Sequence, residues 1–216
     1  MQSKLPNTTL SIFALMSKMA TQHNALNLSQ GFPDFNTDPA LIDLVTKAMH
    51  DGYNQYAPLA GDLRLRENIS AMINLLHGKT YDPQNEITIT AGASEALYAS
   101  ITAFINPGDE VIILKPAYDT YEPTIRLQGG IPVLIQLQAP YTSIDWDEVR
   151  SKISSKTRML IINNPHNPSG NVFSHEDLSK LEELLAGTNI LLLSDEVYEH
   201  IVFDDRKHLS VAAYDK

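Results

Sequence analysis

Between residues 87 and 194, short apolar runs alternate with stretches patterned as helices, and this alternation constrains the fold more than any other feature. Residues 87–90, 111–114, 131–137, 158–162 and 190–194 read as strands, and 94–104, 121–127, 147–153 and 176–185 as the helices between them. Unbroken apolar runs mark strands buried on both faces, as in a parallel sheet covered by helices. The expected fold class is therefore α/β, a three-layer α/β/α arrangement around a mostly parallel sheet. Pro132 interrupts the third run and places it near a sheet edge. Right-handed crossovers gather the post-strand loops at one edge. In open sheets of this kind, ligands sit beyond the carboxyl ends of the strands.

The chain before this region is mixed. Thr8 or Thr9 is expected to cap an amphipathic helix through Ala20. Residues 28–35 form a loop punctuated by Gly and Pro. A helix over 39–50 has Asp38 as N-cap and Pro39 at its first position. A tyrosine-rich loop over 52–61 and a helix over 62–77 follow.

Composition narrows the function. A net charge of −10 with no basic cluster makes nucleic acid and anionic membrane surfaces poor partners. With no Cys, neither a disulfide framework nor a thiolate metal site is available, and the reading calls for no metal. No stretch approaches the ~20 apolar residues of a membrane span, and the first residues lack a secretory core. A cytoplasmic location is the expectation.

Three post-strand segments carry the chemistry. In Thr90-Ala91-Gly92-Ala93-Ser94-Glu95-Ala96-Leu97, strand, glycine turn and helix start follow in order. The Ala93 and Ser94 amides there either seat an anion, favoured by the helix dipole, or simply begin a helix. In Asn163-Asn164-Pro165-His166-Asn167-Pro168-Ser169-Gly170, two prolines bracket Asn167, so that its amide is either held as a fixed donor, the reading the double bracket favours, or part of a tight turn. In Leu191-Leu192-Leu193-Ser194-Asp195-Glu196-Val197-Tyr198, an apolar run ends in a carboxylate with a tyrosine three positions later. Asp195 is either a structural cap or a ligand group, and a helical turn after the strand brings Tyr198 near it. A phosphate seat, an amide donor and a carboxylate–phenol pair at one edge suit pyridoxal 5′-phosphate. A carboxylate beside its pyridine nitrogen keeps that nitrogen protonated and makes the ring an electron sink.

At these residues the chain resembles the class I and II aminotransferases, the aspartate-aminotransferase-like group of fold-type I pyridoxal phosphate enzymes. The ordered motifs GFPDF, NQYAPLAG, TAGASEAL, PAYDTY, NNPHNPSG and SDEVYEH carry the resemblance over nearly the whole chain. The wording of GFPDF and SDEVYEH is most similar to the methionine, glutamine and kynurenine aminotransferase branch. The resemblance implies an incomplete large domain over 41–216, preceded by an N-terminal arm and small-domain segment over 1–40. It implies that Asp195 binds the pyridine nitrogen, that Asn167 and Tyr198 hold the phenolic oxygen, and that the Ala93 and Ser94 amides hold the phosphate. Tyr118 matches the aromatic that stacks on the ring. Tyr56 matches the tyrosine that reaches the partner subunit's phosphate, which implies a homodimer. Gly31 matches the glycine whose amide meets the substrate carboxylate, and Phe32 lies beside it. His166 carries no assigned role beyond a supporting or structural one.

The resemblance also implies groups that these residues do not include. In the family, a lysine in a Ser-rich turn bonds the cofactor as a Schiff base one strand beyond the Asp-x-x-Tyr segment, and arginines for the phosphate and substrate carboxylate come later. Lys156 precedes its strand and so lies ~15–20 Å from the crevice. Lys207 sits in a polar run and Lys216 at the terminus. The expectation is the N-terminal part of an enzyme, inactive alone, that transfers an amino group from an α-amino acid to a 2-oxo acid. The amino acid is of the methionine, glutamine, aromatic or kynurenine type. Carbon–sulfur β-lyases and cyclopropane-carboxylate synthases share the motifs, and a non-catalytic cofactor-binding or dimerisation module is the third reading.

Overall fold

A computed structural model describes residues 3–6, 11–31, 33–138 and 143–214. The backbone divides into two compact units, Asn7–Asp62 and Met1–Pro6 with Leu63–Lys216.

The Asn7–Asp62 unit carries two helices, each started by a side-chain cap. Ser11 accepts the Ala14 amide at 3.2 Å and opens α1, Ile12–Gln22. The expected caps Thr8 and Thr9 lie outside the described residues. Asp38 accepts the Ala40 amide at 2.8 Å and opens α2, Pro39–His50, with proline where its missing N–H costs nothing. Neither helix buries a residue.

The larger unit begins with α3, Leu63–His77, whose Ser70 hydroxyl donates to the Tyr81 carbonyl at 2.5 Å. Then come α4 (Ala93–Phe104), β1 (Glu110–Lys115), α5 (Tyr121–Leu127), β2 (Ile131–Gln136), α6 (Trp146–Lys152), β3 (Thr157–Asn163), α7 (His175–Leu185) and β4 (Leu191–Asp195). The strands form one parallel sheet in the order β2-β1-β3-β4. Pro132 therefore sits on an edge strand, as its missing donor requires.

Alternate residues of the inner strands feed two separate cores, which is the physical content of a three-layer fold. Val111, Ile113, Met159 and Ile161 pack with Leu97 and Ile101 of α4 and Tyr121 and Ile125 of α5. Ile112, Leu114, Leu160 and Ile162 pack with Trp146 and Val149 of α6 and Leu178, Leu181 and Leu184 of α7. Each such side chain, fully buried, contributes ~1.5–3 kcal/mol. The α5–β2 connection is tight enough to demand glycine. A Cβ on Gly130 would lie 2.7 Å from Ile105 and 2.9 Å from Ile125.

One expected strand is absent. Residues 87–90 carry no strand and pair with no ladder among the described residues, although Ile87 is buried. The apolar run is present, but a strand exists only through hydrogen bonds to a neighbour. Among the described residues, no helix is long and apolar enough to cross a membrane.

Candidate active site

The carboxyl end of β4 is where the sheet turns polar. In register, Asn163 of β3 stands beside Asp195 of β4. Beyond Asp195 the chain leaves the strand in a turn, closed by the Glu199 amide donating to the Glu196 carbonyl at 3.0 Å. That turn carries Tyr198 back toward the loop after β3. There the Asn167 side-chain amide lies 3.4 Å from the Tyr198 hydroxyl.

Asp195 is held from both sides. One carboxylate oxygen accepts the Tyr121 hydroxyl at 2.6 Å, and the other accepts the Val197 amide at 3.2 Å. Tyr121 is 2 % exposed. Burial, then the hydrogen bond and negative charge of Asp195, hold its phenol far above the ordinary tyrosine range, so it stays a neutral donor. Its ring meets that of Tyr118 edge to face, with centroids 5.8 Å apart. The Tyr118 hydroxyl in turn lies 3.4 Å from the Ser94 hydroxyl at the start of α4.

The start of α4 is open. Gly92, its N-cap, has φ +85°, and no side chain caps the helix. A Cβ there would meet nothing within 4 Å, so glycine is used for its backbone conformation. Ala93 and Ser94 are exposed, and the first amides of a helix lack intrahelical partners. A cavity of about 270 Å³ lies between α4 and the end of β4, lined by Ala93, Ala96, Leu97 and Ser100 on one side and by residues 193–197 on the other.

Contacts thus run without a break from Ser94 through Tyr118 and Tyr121 to Asp195, and through Asn163 to Asn167 and Tyr198. Six of the residues singled out from sequence, Ala93, Ser94, Tyr118, Asn167, Asp195 and Tyr198, are brought to this edge. Gly31 and Tyr56 belong to the other unit, where both are exposed. Phe32 lies outside the described residues. Tyr121 and Asn163 escape sequence reasoning. Tyr121 stands in the sequence only as the end of PAYDTY, with its partner 74 residues away, and Asn163 only as part of a turn motif.

His166 is structural in its contacts. It is 5 % exposed, and one ring nitrogen lies 2.7 Å from the Ser169 hydroxyl. Burial pushes its pKa down and favours a neutral ring, outweighing a hydrogen bond to the Pro116 backbone that acts the other way. Glu196, next to Asp195, serves the opposite side. Its carboxylate accepts from Ser194 at 2.8 Å, from the Val211 amide at 3.1 Å and sits 2.8 Å from a His208 ring nitrogen. Burial raises its pKa, but hydrogen bonds from His208, Ser194, Ser210 and Val211 outweigh that and hold it below the ordinary value. Glu196, Glu199 and His208 bring potential ligand atoms within 4.8 Å of one another. The Glu196 oxygens are already taken by these internal donors, so the group works as a staple for the segment after β4.

The lysines fall as their sequence positions imply. Lys156 precedes the first residue of β3, at the opposite end from Asn163. Lys207 is exposed, and Lys216 lies outside the described residues. Lys115 ends β1 and lies 3.6 Å from Glu122.

The donor set suits a flat, phosphorylated heterocycle: backbone amides with a helix dipole at one end, an aromatic beside them, a carboxylate at depth, and an amide with a phenol at the rim. The family model for aminotransferase class I and II matches residues 23–216. The methionine aminotransferase of Escherichia coli is 47% identical over 213 residues, covering 99% of this chain and 55% of that protein. Kynurenine–oxoglutarate transaminase 3 of Rattus norvegicus is 37% identical, covering 94% and 47%. The solved structure of YbdL from E. coli, described as having a methionine aminotransferase function, superposes with a TM-score of 0.94 at 48% identity, covering 98% of this chain and 56% of that one. The chain spans about half the length of the curated relatives it matches.

Proposed function

The chain belongs to the class I and II aminotransferases, and from that premise we propose that the protein it forms part of transfers an amino group from an α-amino acid to a 2-oxo acid with pyridoxal 5′-phosphate bound at the end of β4. The observation that carries the proposal is the continuous set of contacts linking Ser94, Tyr118, Tyr121, Asp195, Asn167 and Tyr198.

In this reading Asp195 faces the ring nitrogen and holds a proton on it. Tyr121 fixes the rotamer of that carboxylate by donating to one oxygen. Asn167 and Tyr198 donate to the phenolic oxygen. The Ala93 and Ser94 amides receive the phosphate, and Tyr118 stacks on the ring face. When bound, the cofactor supplies an electron sink for the charge that develops at the substrate α-carbon. Gly31 and Phe32 meet the substrate, and Tyr56 reaches the phosphate of a second subunit in a homodimer. We assign residues 1–40 to the arm and small domain and 41–216 to the large domain. In this reading the covalent lysine and the arginines for phosphate and carboxylate are not among the residues assigned above. The location proposed is the cytoplasm.

For substrate, the names of the similar proteins favour methionine, with kynurenine and other aromatic amino acids behind it. The test is the whole protein incubated with methionine and a 2-oxo acid. A new amino acid and the 2-oxo acid of methionine are expected. Release of ammonia with a 2-oxo product and no new amino acid would replace transfer by elimination. A protein without visible cofactor absorbance after incubation with pyridoxal 5′-phosphate would overturn the reading.

A further inference from the structure

Asn163 ends β3 as a buried amide, 4 % exposed, and both ends of its side chain are used. Its Nδ2 donates to the Asp195 carbonyl at 2.9 Å, and its Oδ1 accepts the Asn167 amide at 2.6 Å. The Asp195 carbonyl also accepts the Asn164 amide at 3.0 Å. The backbones of Asp195 and Asn167 are thereby bolted to one planar group, although one ends strand β4 and the other lies in the loop after β3. An amide can do this because it offers a donor and an acceptor in one rigid plane. A carboxylate has no donor, and an apolar residue of equal size has neither.

We propose that Asn163 is a positioning residue that fixes the distance between the Asp195 carboxylate and the Asn167 side-chain amide. It touches neither cofactor nor substrate and acts only through these two neighbours. The proposal rests on the cofactor reading above, in which Asp195 and Asn167 would hold one ring at two separate points, its nitrogen and its phenolic oxygen. A rigid ring needs both grips at fixed separation, and a loop held only by its own turn would drift by more than such a contact tolerates.

Asn164 provides a matched control. It is 0 % exposed, its Nδ2 donates to the Leu209 carbonyl at 2.9 Å and its Oδ1 accepts the Phe173 amide at 2.9 Å. Its side chain is as deeply embedded as that of Asn163 but points its bonds at structural partners. In the whole protein, Asn163→Ala and Asn164→Ala are both expected to lower the melting temperature. Only Asn163→Ala is expected to move the pH midpoint of the bound cofactor's visible band, upward by about one unit, because Asn167 donates less well to the phenolic oxygen. Its affinity for pyridoxal 5′-phosphate is expected to fall about 3- to 10-fold, the loss of one well-placed hydrogen bond.

Asn163→Ser, which leaves a polar group for a water to serve, is expected to show the same midpoint shift if the alanine variant fails to fold. In the wild-type protein the Asn167 amide, which lies in a turn, is expected to exchange slowly with solvent deuterium. Equal midpoints in wild type, Asn163→Ala and Asn163→Ser, or a fast-exchanging Asn167 amide, would overturn the positioning role while leaving the cofactor reading intact. A wild-type protein with no cofactor band would overturn both.

Discussion

On the β3–β4 side of the site, Asp195, Asn163 and Asn167 stand in a network that the protein closes by itself, whereas at the start of α4 Ala93 and Ser94 are exposed, Ala93 lines the cavity and no side chain caps the helix. On the proposed assignment, the difference teaches how the two ends of the cofactor would be held. A ring nitrogen would have to meet one carboxylate in one orientation, and Asp195 is braced for that by Tyr121 and its strand neighbour. A phosphate accepts donors from many directions, so a helix start with small residues suffices.

A second contrast lies at the end of β4. Asp195 and Glu196 are consecutive carboxylates, yet one turns to the cavity rim and Tyr121, and the other to His208 and the segment after the strand. On the proposed assignment, the two residues separate function from stability. Asp195→Ala in the whole protein is expected to reduce kcat for amino transfer by about 10³-fold or more, the scale of losing an electrostatic group aimed at developing charge. Its melting temperature should fall only modestly, since the Tyr121 hydroxyl and the Val197 amide lose their acceptor. Single-turnover half-reactions within tenfold of wild type would remove Asp195 from its role.

Glu196→Ala is the next largest effect and should do the reverse. Removing one partner of a mostly buried pair leaves His208 and three further donors unanswered, a loss of ~3 kcal/mol readable as a lowered urea midpoint. The pH dependence follows from the depressed pKa. The folded state binds fewer protons than the unfolded state, so the stabilisation from Glu196 is complete above its ordinary value of 4.5 and is lost as pH falls through the lowered value. The variant should therefore show less acid sensitivity than wild type. Unchanged acid sensitivity would mean that the staple carries no stability.

These contrasts also separate what is legible from sequence. The cap and first helical proline of α2 are adjacent in the sequence, and α2 and α5 both fall where the sequence places them, Pro39–His50 and Tyr121–Leu127. The motif residues at the ends of β3 and β4 are legible because each post-strand loop carries its own Gly, Pro or carboxylate signal. Residues 87–90 mislead because a strand depends on a partner, and an apolar run says nothing of whether one is paired. In the sequence Tyr121 ends the PAYDTY motif and begins a helix, with no role attached to it. Its hydroxyl reaches Asp195 because α5 packs on the sheet, a tertiary fact that no local pattern encodes.

Tyr121→Phe examines that hidden contact with one atom removed. The ring stays in its core of Ile113, Ile125 and Ile161, so the fold should persist. Asp195 would keep only the Val197 amide on its carboxylate. One buried hydrogen bond to a charged group corresponds to ~1.5–3 kcal/mol, and the expected outcome is roughly a tenfold fall in kcat/KM with a modest fall in melting temperature. An unchanged kcat/KM beside a lowered melting temperature would make Tyr121 a core residue and nothing more.

Ser94→Ala should have the smallest effect, and its smallness is the point. The hydroxyl is exposed and lies 3.4 Å from Tyr118, a long contact. If the open end of the site works through backbone amides and the helix dipole, those groups survive the substitution, because alanine keeps its N–H and favours the helix. The affinity for pyridoxal 5′-phosphate, measured by quenching of protein fluorescence, is then expected to fall only about 2- to 5-fold, the scale of a dipole-range interaction of about 0.3–1 kcal/mol. A fall of 100-fold or more would transfer the phosphate from the backbone to the side chain. The α4 start would then depend on one hydroxyl just as the β4 end depends on one carboxylate, and the contrast between the two ends would vanish.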